Sequence, residues 1–164
     1  MPADAYLKMT DLEGESTAAN HEGEIELLAF SLGVSMPVGP RSTAGSAATS
    51  KASAQDVNVT KNVDKASPQL VLSTAQGAQF KEAVISVNRT DGAGGQVEYV
   101  QYKMTDVIIS NISQSGGGGG GLPLESLSLN YASILVTYTQ TDPSSAGAQG
   151  SLTGGWDFGT NQPV

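Results

Sequence analysis

Apolar and polar residues alternate with a period of two along most of this chain, and one helix with marked ends interrupts the alternation. Val57 and Val59 alternate with Asn58 and Thr60, the pattern of a half-buried strand. Ser67-Pro68 then opens the helix. Ser67 is placed to accept from the free amides of the first turn, and Pro68 lacks an N–H that would go unsatisfied there. Gly77 can take the left-handed conformation that ends it, so the helix is roughly two to three turns long. Leu70, Val71, Thr74 and Ala75 form one broad face while Leu72 points elsewhere, so this helix needs cover on more than one side. It is too short to be stable alone and must be held by a larger β structure.

The same alternation predicts a first strand over Ala5–Thr10 and, after the polar connection Asp11–Gly23, a second over Glu24–Ser35. In the second, Ile25 and Leu27 are apolar at odd positions, and Phe30, Leu32 and Val34 at even ones, which implies a bulge near Leu28-Ala29. Met36–Ser53 has no period and is rich in Pro, Gly, Ser, Ala and Thr, the composition of a long loop. Phe80–Arg89 and Val97–Thr105 make a hairpin about the turn Asp91–Gly95. Asp106–Ser113 is predicted as a further strand, ended by the glycine run Ser115–Gly121. Leu127, Leu129 and Tyr131 alternate, then Ile134, Val136 and Tyr138 on the opposite parity, giving one bent strand or two short ones. The tail reads as loose until Gly155-Trp156-Asp157-Phe158, a last short strand. Eight or nine short strands with one short helix packed on their side predict a mainly β fold, a β-barrel or sandwich, in one domain spanning residues 1–164.

Composition narrows the classes of function. Eight basic and sixteen acidic residues give a net charge of −8, which argues against a nucleic-acid partner, since phosphate binding needs clustered Lys and Arg. There is no cysteine, hence no disulfide or thiol chemistry. No apolar run approaches the ~18 residues of a membrane span, and the N-terminal stretch lacks the basic and apolar regions of a signal peptide. His21 is the only histidine and lies in the polar turn Asn20-His21-Glu22-Gly23, the setting of a surface side chain. Glu22, Glu24 and Glu26 share one strand face, yet nothing marks a pair in different environments, as acid–base work requires. Gly116–Gly121 is followed by Pro123 and a strand, not the helix of a phosphate-binding loop. The sequence therefore offers no catalytic, cofactor or metal set and reads as a structural or binding protein.

Val59-Thr60-Lys61 followed by Asp64-Lys65-Ala66-Ser67-Pro68-Gln69-Leu70 resembles the haemolysin-coregulated protein (Hcp) family, the tube-forming proteins of bacterial type VI secretion. The resemblance continues through Ala5-Tyr6-Leu7-Lys8, Glu13-Gly14-Glu15-Ser16, His21, and Ile25 to Ser35. It resumes at Gly95-Gln96-Val97-Glu98-Tyr99, Glu125 to Tyr131, Val136-Thr137-Tyr138 and Gly155-Trp156-Asp157. Phe30 and Leu32 stand where members commonly carry tryptophan, and the run Gly116–Gly121 is unusually long.

The resemblance implies a homo-oligomer: six-membered rings that stack into the inner tube of an injection machine, with effector proteins carried in the lumen. It also implies spike and sheath components as partners, with synthesis in the bacterial cytoplasm and export through the type VI system without a signal peptide. On that expectation Ser31, Gly33 and Ser35, opposite the apolar Phe30, Leu32 and Val34, are candidates for the lumen wall. Leu70, Val71, Leu72 and Thr74 are candidates for the subunit interface. Val38, Arg41, Thr49 and Lys51 are candidates for a loop that reaches the adjacent ring. The alternative is a β-barrel enzyme or small-ligand binder using His21 and the carboxylates.

Overall fold

The computed structural model describes residues 3–39, 50–90, 94–141 and 148–164. In chain order the strands before the helix are β1 (Ala3–Met9), β2 (Ile25–Leu27), β3 (Ala29–Ser31), β4 (Val34–Ser35), β5 (Ser53–Ala54) and β6 (Val57–Asn62). Helix α1 (Ser67–Gln76) follows, then β7 (Gln79–Thr90), β8 (Gln96–Ser115), β9 (Leu124–Asn130), β10 (Ser133–Thr141), β11 (Ala148–Asp157) and β12 (Gln162–Pro163). The mainly β architecture with one short helix agrees with the alternation in the sequence, although the described strands number more than nine because several hold only two or three residues.

One ten-stranded sheet carries the fold, in the order β12-β11-β10-β8-β7-β1-β2, and a branch β3-β6-β9 joins it at β8. Strand β8 is the junction. Its residues Val100–Thr105 pair with β10, and Ile108–Ser115 pair with β9. Between these stretches Asp106 has a φ of 51°, a left-handed conformation that bends the strand without ending it. Val97–Thr105 and Asp106–Ser113, predicted as two strands, are therefore one.

The two arms of the sheet curl toward each other and meet at Leu28. Upstream, β2 pairs with β1; downstream, β3 pairs with β6, and the Leu28 N–H donates to the Thr60 carbonyl at 2.8 Å. The parity change thus falls where the sequence placed it, and it transfers the chain from one arm to the other. Leu7, Ile25, Val59, Ile85, Met104 and Leu127 fill the space enclosed, each at most 1% exposed.

Three expectations are corrected. Val34 does not pack inward with Phe30 and Leu32: it is 53% exposed, because Val34–Ser35 leaves the main sheet and pairs with Ser53–Ala54 as a separate two-stranded ribbon. That ribbon closes the base of the 36–53 loop. The tail is a ten-residue strand, β11, paired with β10 along its whole length. Its glycines and small polar residues hide the alternation because it borders solvent. Ser67 is not the cap of α1: Ala66 occupies the N-cap position, and the Asp64 carboxylate accepts from the Ala66 amide at 3.0 Å. At the other end Gly77 has a φ of 64°, its N–H reaches the Thr74 carbonyl, and that of Ala78 reaches the Ser73 carbonyl, a Schellman closure.

Candidate functional site

The segment from β6 into α1 is built around a buried cation. Lys61 is fully buried, and its ammonium donates to the Asn62 carbonyl (2.8 Å), Asp64 Oδ1 (2.9 Å), Ser67 Oγ (3.2 Å) and Glu125 Oε1 (3.2 Å). Glu125 is also fully buried, and its second oxygen accepts from Gln114 Nε2 at 2.6 Å. One ammonium faces two carboxylates, Glu125 fully buried and Asp64 nearly so, and each charged group has hydrogen-bond partners, which is the condition for tolerating ions in a core. The network ties β6, the turn before α1, α1 itself, β8 and β9 together. It uses the hydroxyl of Ser67, which also accepts from the Asp64 amide at 3.0 Å.

Sequence reasoning missed this pair although a signal was present. Lys61 stands on the same parity as Val57 and Val59, and Glu125 on that of Leu127 and Leu129, so each charge occupies the inward phase of its strand. Strand pairing then sets Lys61 opposite Glu125.

His21 is not the surface side chain that its polar neighbours suggest. It is buried, stacked on Tyr6 with ring centroids 4.4 Å apart and planes 5° from parallel. Nδ1 lies 2.8 Å from Glu24 Oε2 and Nε2 lies 2.7 Å from Asn88 Nδ2. Each ring nitrogen therefore has a hydrogen-bond partner. With both nitrogens engaged and the ring enclosed, His21 braces the 12–24 loop against β1 and β7 and has no open lone pair for a substrate. Burial, followed by the charges of Asp4 and Glu26, pushes the Tyr6 hydroxyl above its ordinary pKa. Of the three glutamates, Glu24 is held by His21, and Glu22 and Glu26 face solvent.

A groove of about 500 Å³ runs between the β1–β2 edge and the turn before α1, lined by Asp4, Glu15, Glu26 and Asp64 with Leu28, Val63 and Leu122 among others. Asp64 is already paired with Lys61. Among the described residues no group of three or more His, Cys, Asp or Glu is placed to hold a metal ion.

The remaining candidates are surfaces. On α1 the buried stripe is Ser67, Leu70 and Ser73, and Leu70 is wholly enclosed by its own chain. Thr74 is half-buried and donates its hydroxyl to the Leu70 carbonyl. Val71 and Leu72 lie open to solvent. Ser31 and Ser35 are exposed, and Gly33 is half-buried beside Gln55, whose side-chain oxygen a Cβ there would strike. Val38 and Lys51 are exposed, whereas Arg41 and Thr49 fall outside the described residues.

The chain as a whole is similar to known proteins. The family model described as "Type VI secretion system effector, Hcp" matches residues 6–138. Protein hcp1 of Pseudomonas aeruginosa is 31% identical over 161 residues, covering 98% of each chain. The Major exported protein of the same organism is 28% identical over 134 residues, covering 78% of this chain and 76% of its own. A solved type six secretion system protein superposes with a TM-score of 0.91 at 29% identity, covering 99% of this chain and 100% of its own. With most of the chain matched in both sequence and fold, the protein belongs to the Hcp family of the type VI secretion system.

Proposed function

We propose that this chain is the structural subunit of a type VI secretion inner tube: six copies close into a ring, rings stack, and effector proteins travel in the lumen. The observation that carries this reading is the family match over residues 6–138. The chain features described above are consistent with it. A closed ring requires two different patches on each subunit, and Val71 and Leu72 offer an uncovered apolar surface for one contact, set on a helix anchored from beneath by Leu70. Ser31, exposed on β3, and Ser35, exposed on the β4–β5 ribbon, are small uncharged side chains of the kind a lumen passing varied cargo needs. The loop 36–53, whose base is held by the β4–β5 ribbon, is the element assigned to the next ring. In this reading the partners are further copies of the chain, the spike and sheath components and the effectors. The protein is made in the cytoplasm and exported, as the name of the Major exported protein indicates for that relative.

Electron microscopy of the purified protein by negative stain, combined with light scattering, tests the proposal. Annular particles with a mass of about six chains are expected. A single-chain mass across a wide concentration range would overturn it.

A further inference from the structure

The groove between the β1–β2 edge and the turn before α1 joins two kinds of surface. Ala5 and Leu27 line it from the sheet, and three large apolar side chains stand open along it: Val63, Leu28 and Leu122, at 36, 58 and 71% exposed. Its volume of about 500 Å³ lies within the range of about 300–1,000 Å³ found for ligand clefts.

Around this apolar strip stand the exposed carboxylates of Asp4 on β1, Glu15 in the 12–24 loop and Glu26 on β2. Asp4 accepts from Gln96 Nε2 at 2.8 Å and Glu15 from the Lys65 amide at 2.9 Å, both uncharged donors. Among the described residues no Lys, Arg or His ion-pairs with any of the three, and none lines the groove. Lys65, next to the wall residue Asp64, turns instead to Glu13. An uncharged apolar occupant would strip water from these carboxylates and return nothing, whereas one that also bears positive charge gains from both surfaces. The carboxylates come from three separate elements, so they suit basic groups spread along a chain and not one point charge.

Leu122 is placed to follow such an occupant. It ends the run Gly116–Gly121, in which a Cβ at Gly117 or Gly119 would meet nothing, so the packing of this chain does not demand glycine there. The run leaves the rim of the groove able to move. Pro123, the next residue, is anchored: its carbonyl accepts from the Val63 N–H at 3.0 Å.

We propose that this groove docks an extended segment of a partner protein in which Lys or Arg residues flank apolar ones, the basic groups meeting Asp4, Glu15 and Glu26 and an apolar side chain packing between Leu28 and Leu122. The described chain offers no such segment itself. Outside its ion pairs, Lys8, Lys81 and Arg89 lie within strands of the main sheet, and Lys51 is flanked by Ser50 and Ala52. The occupant is therefore another protein, and the proposal stands apart from the ring reading because it needs no second copy of the chain.

The probe is a short synthetic peptide alternating Lys and Leu, titrated into the purified protein by fluorescence anisotropy, with a peptide alternating Glu and Leu as its counterpart. Saturable binding of the Lys peptide alone is expected. Glu15→Gln with Glu26→Gln, and separately Leu122→Ser, should each weaken it about tenfold with circular dichroism unchanged. Glu22→Gln with Glu98→Gln, and Leu152→Ser, remove the same groups outside the groove and should leave binding as it was. Because the chain has no cysteine, Leu28→Cys gives a second reading: it should form a disulfide with the Lys peptide carrying a terminal cysteine well faster than Leu152→Cys does. An equal loss in the outside variants would mean that the net charge of −8 alone attracts the peptide, and would overturn the site. A loss with the paired Gln changes but not with Leu122→Ser would reduce the groove to a surface for small cations and overturn peptide docking. No binding, or equal binding of both peptides, overturns the proposal outright. If a groove variant does not fold, the cross-linking rates decide, and equal rates at Leu28→Cys and Leu152→Cys count against it.

Discussion

Lys61 and Glu125 are held in the core by each other, so removing one leaves the other as an uncompensated buried charge. Lys61→Met should cost about 3–5 kcal/mol in urea unfolding, and adding Glu125→Met should recover part of that loss, the remainder belonging to Asp64, which is left without its cation. A single-variant loss under about 1 kcal/mol would mean the pair is solvated. Tyr131 is the opposite case: its ring is buried but its hydroxyl has no hydrogen-bond partner among the described residues. Tyr131→Phe should therefore leave Tm unchanged or raise it, by up to about 1 kcal/mol of stability, since an unsatisfied buried group is removed. Burial, and after it the charge of Asp56, pushes the Tyr131 hydroxyl above its ordinary pKa. An acid held more tightly in the folded state contributes stability in full below its unfolded value of about 10 and loses it as pH rises through the folded value. Thermal unfolding from pH 7 to 11 should show the parent losing stability above pH about 10, and Tyr131→Phe losing less of it. Such residues were the least legible in the sequence. Lys61 and Glu125 could be read only by trusting strand parity over charge, and their pairing across 64 positions is set by the ladder. Nothing near His21 in sequence announces Tyr6 stacked upon it or Asn88 hydrogen-bonded to it.

Elements were legible where their determinants are local. Pro68 and Gly77 bracket α1 within a residue of its observed ends, because a missing N–H and a left-handed φ act on the backbone where they stand. The space around Gly77 is open, so Gly77→Ala tests the backbone term alone. It should cost about 1 kcal/mol, measured by chemical unfolding, and a neutral result would mean that the helix frays before Gly77. Strand limits were less legible. Asp106 looked like a boundary because a charged residue interrupts the apolar alternation, whereas its left-handed φ lets β8 turn from β10 to β9. Only the end of β11 reads as strand, at Gly155–Phe158, because the glycines and small polar residues before it carry no period and only the register with β10 defines them.

At the scale of the molecule, Ser35 pairs with Ser53, so the ends of the 36–53 loop are adjacent. Deletion of Val38 to Thr49 should leave rings of unchanged mass in light scattering and abolish stacked tubes in negative stain. Tubes that persist, or rings that fall apart, would sink the assignment of this loop to the adjacent ring. The family is legible in the sequence, whereas the arrangement of the surfaces depends on how β8 distributes the strands. That distribution also has a mechanical side. Because one unbroken strand runs through both arms of the sheet, a load applied to either arm is carried into the other along covalent bonds, and the arms cannot slide past one another unless the hydrogen bonds flanking β8 yield together. Within the proposed ring, each subunit should therefore respond to axial thrust as a single stiff body, confining any give to the joints between copies.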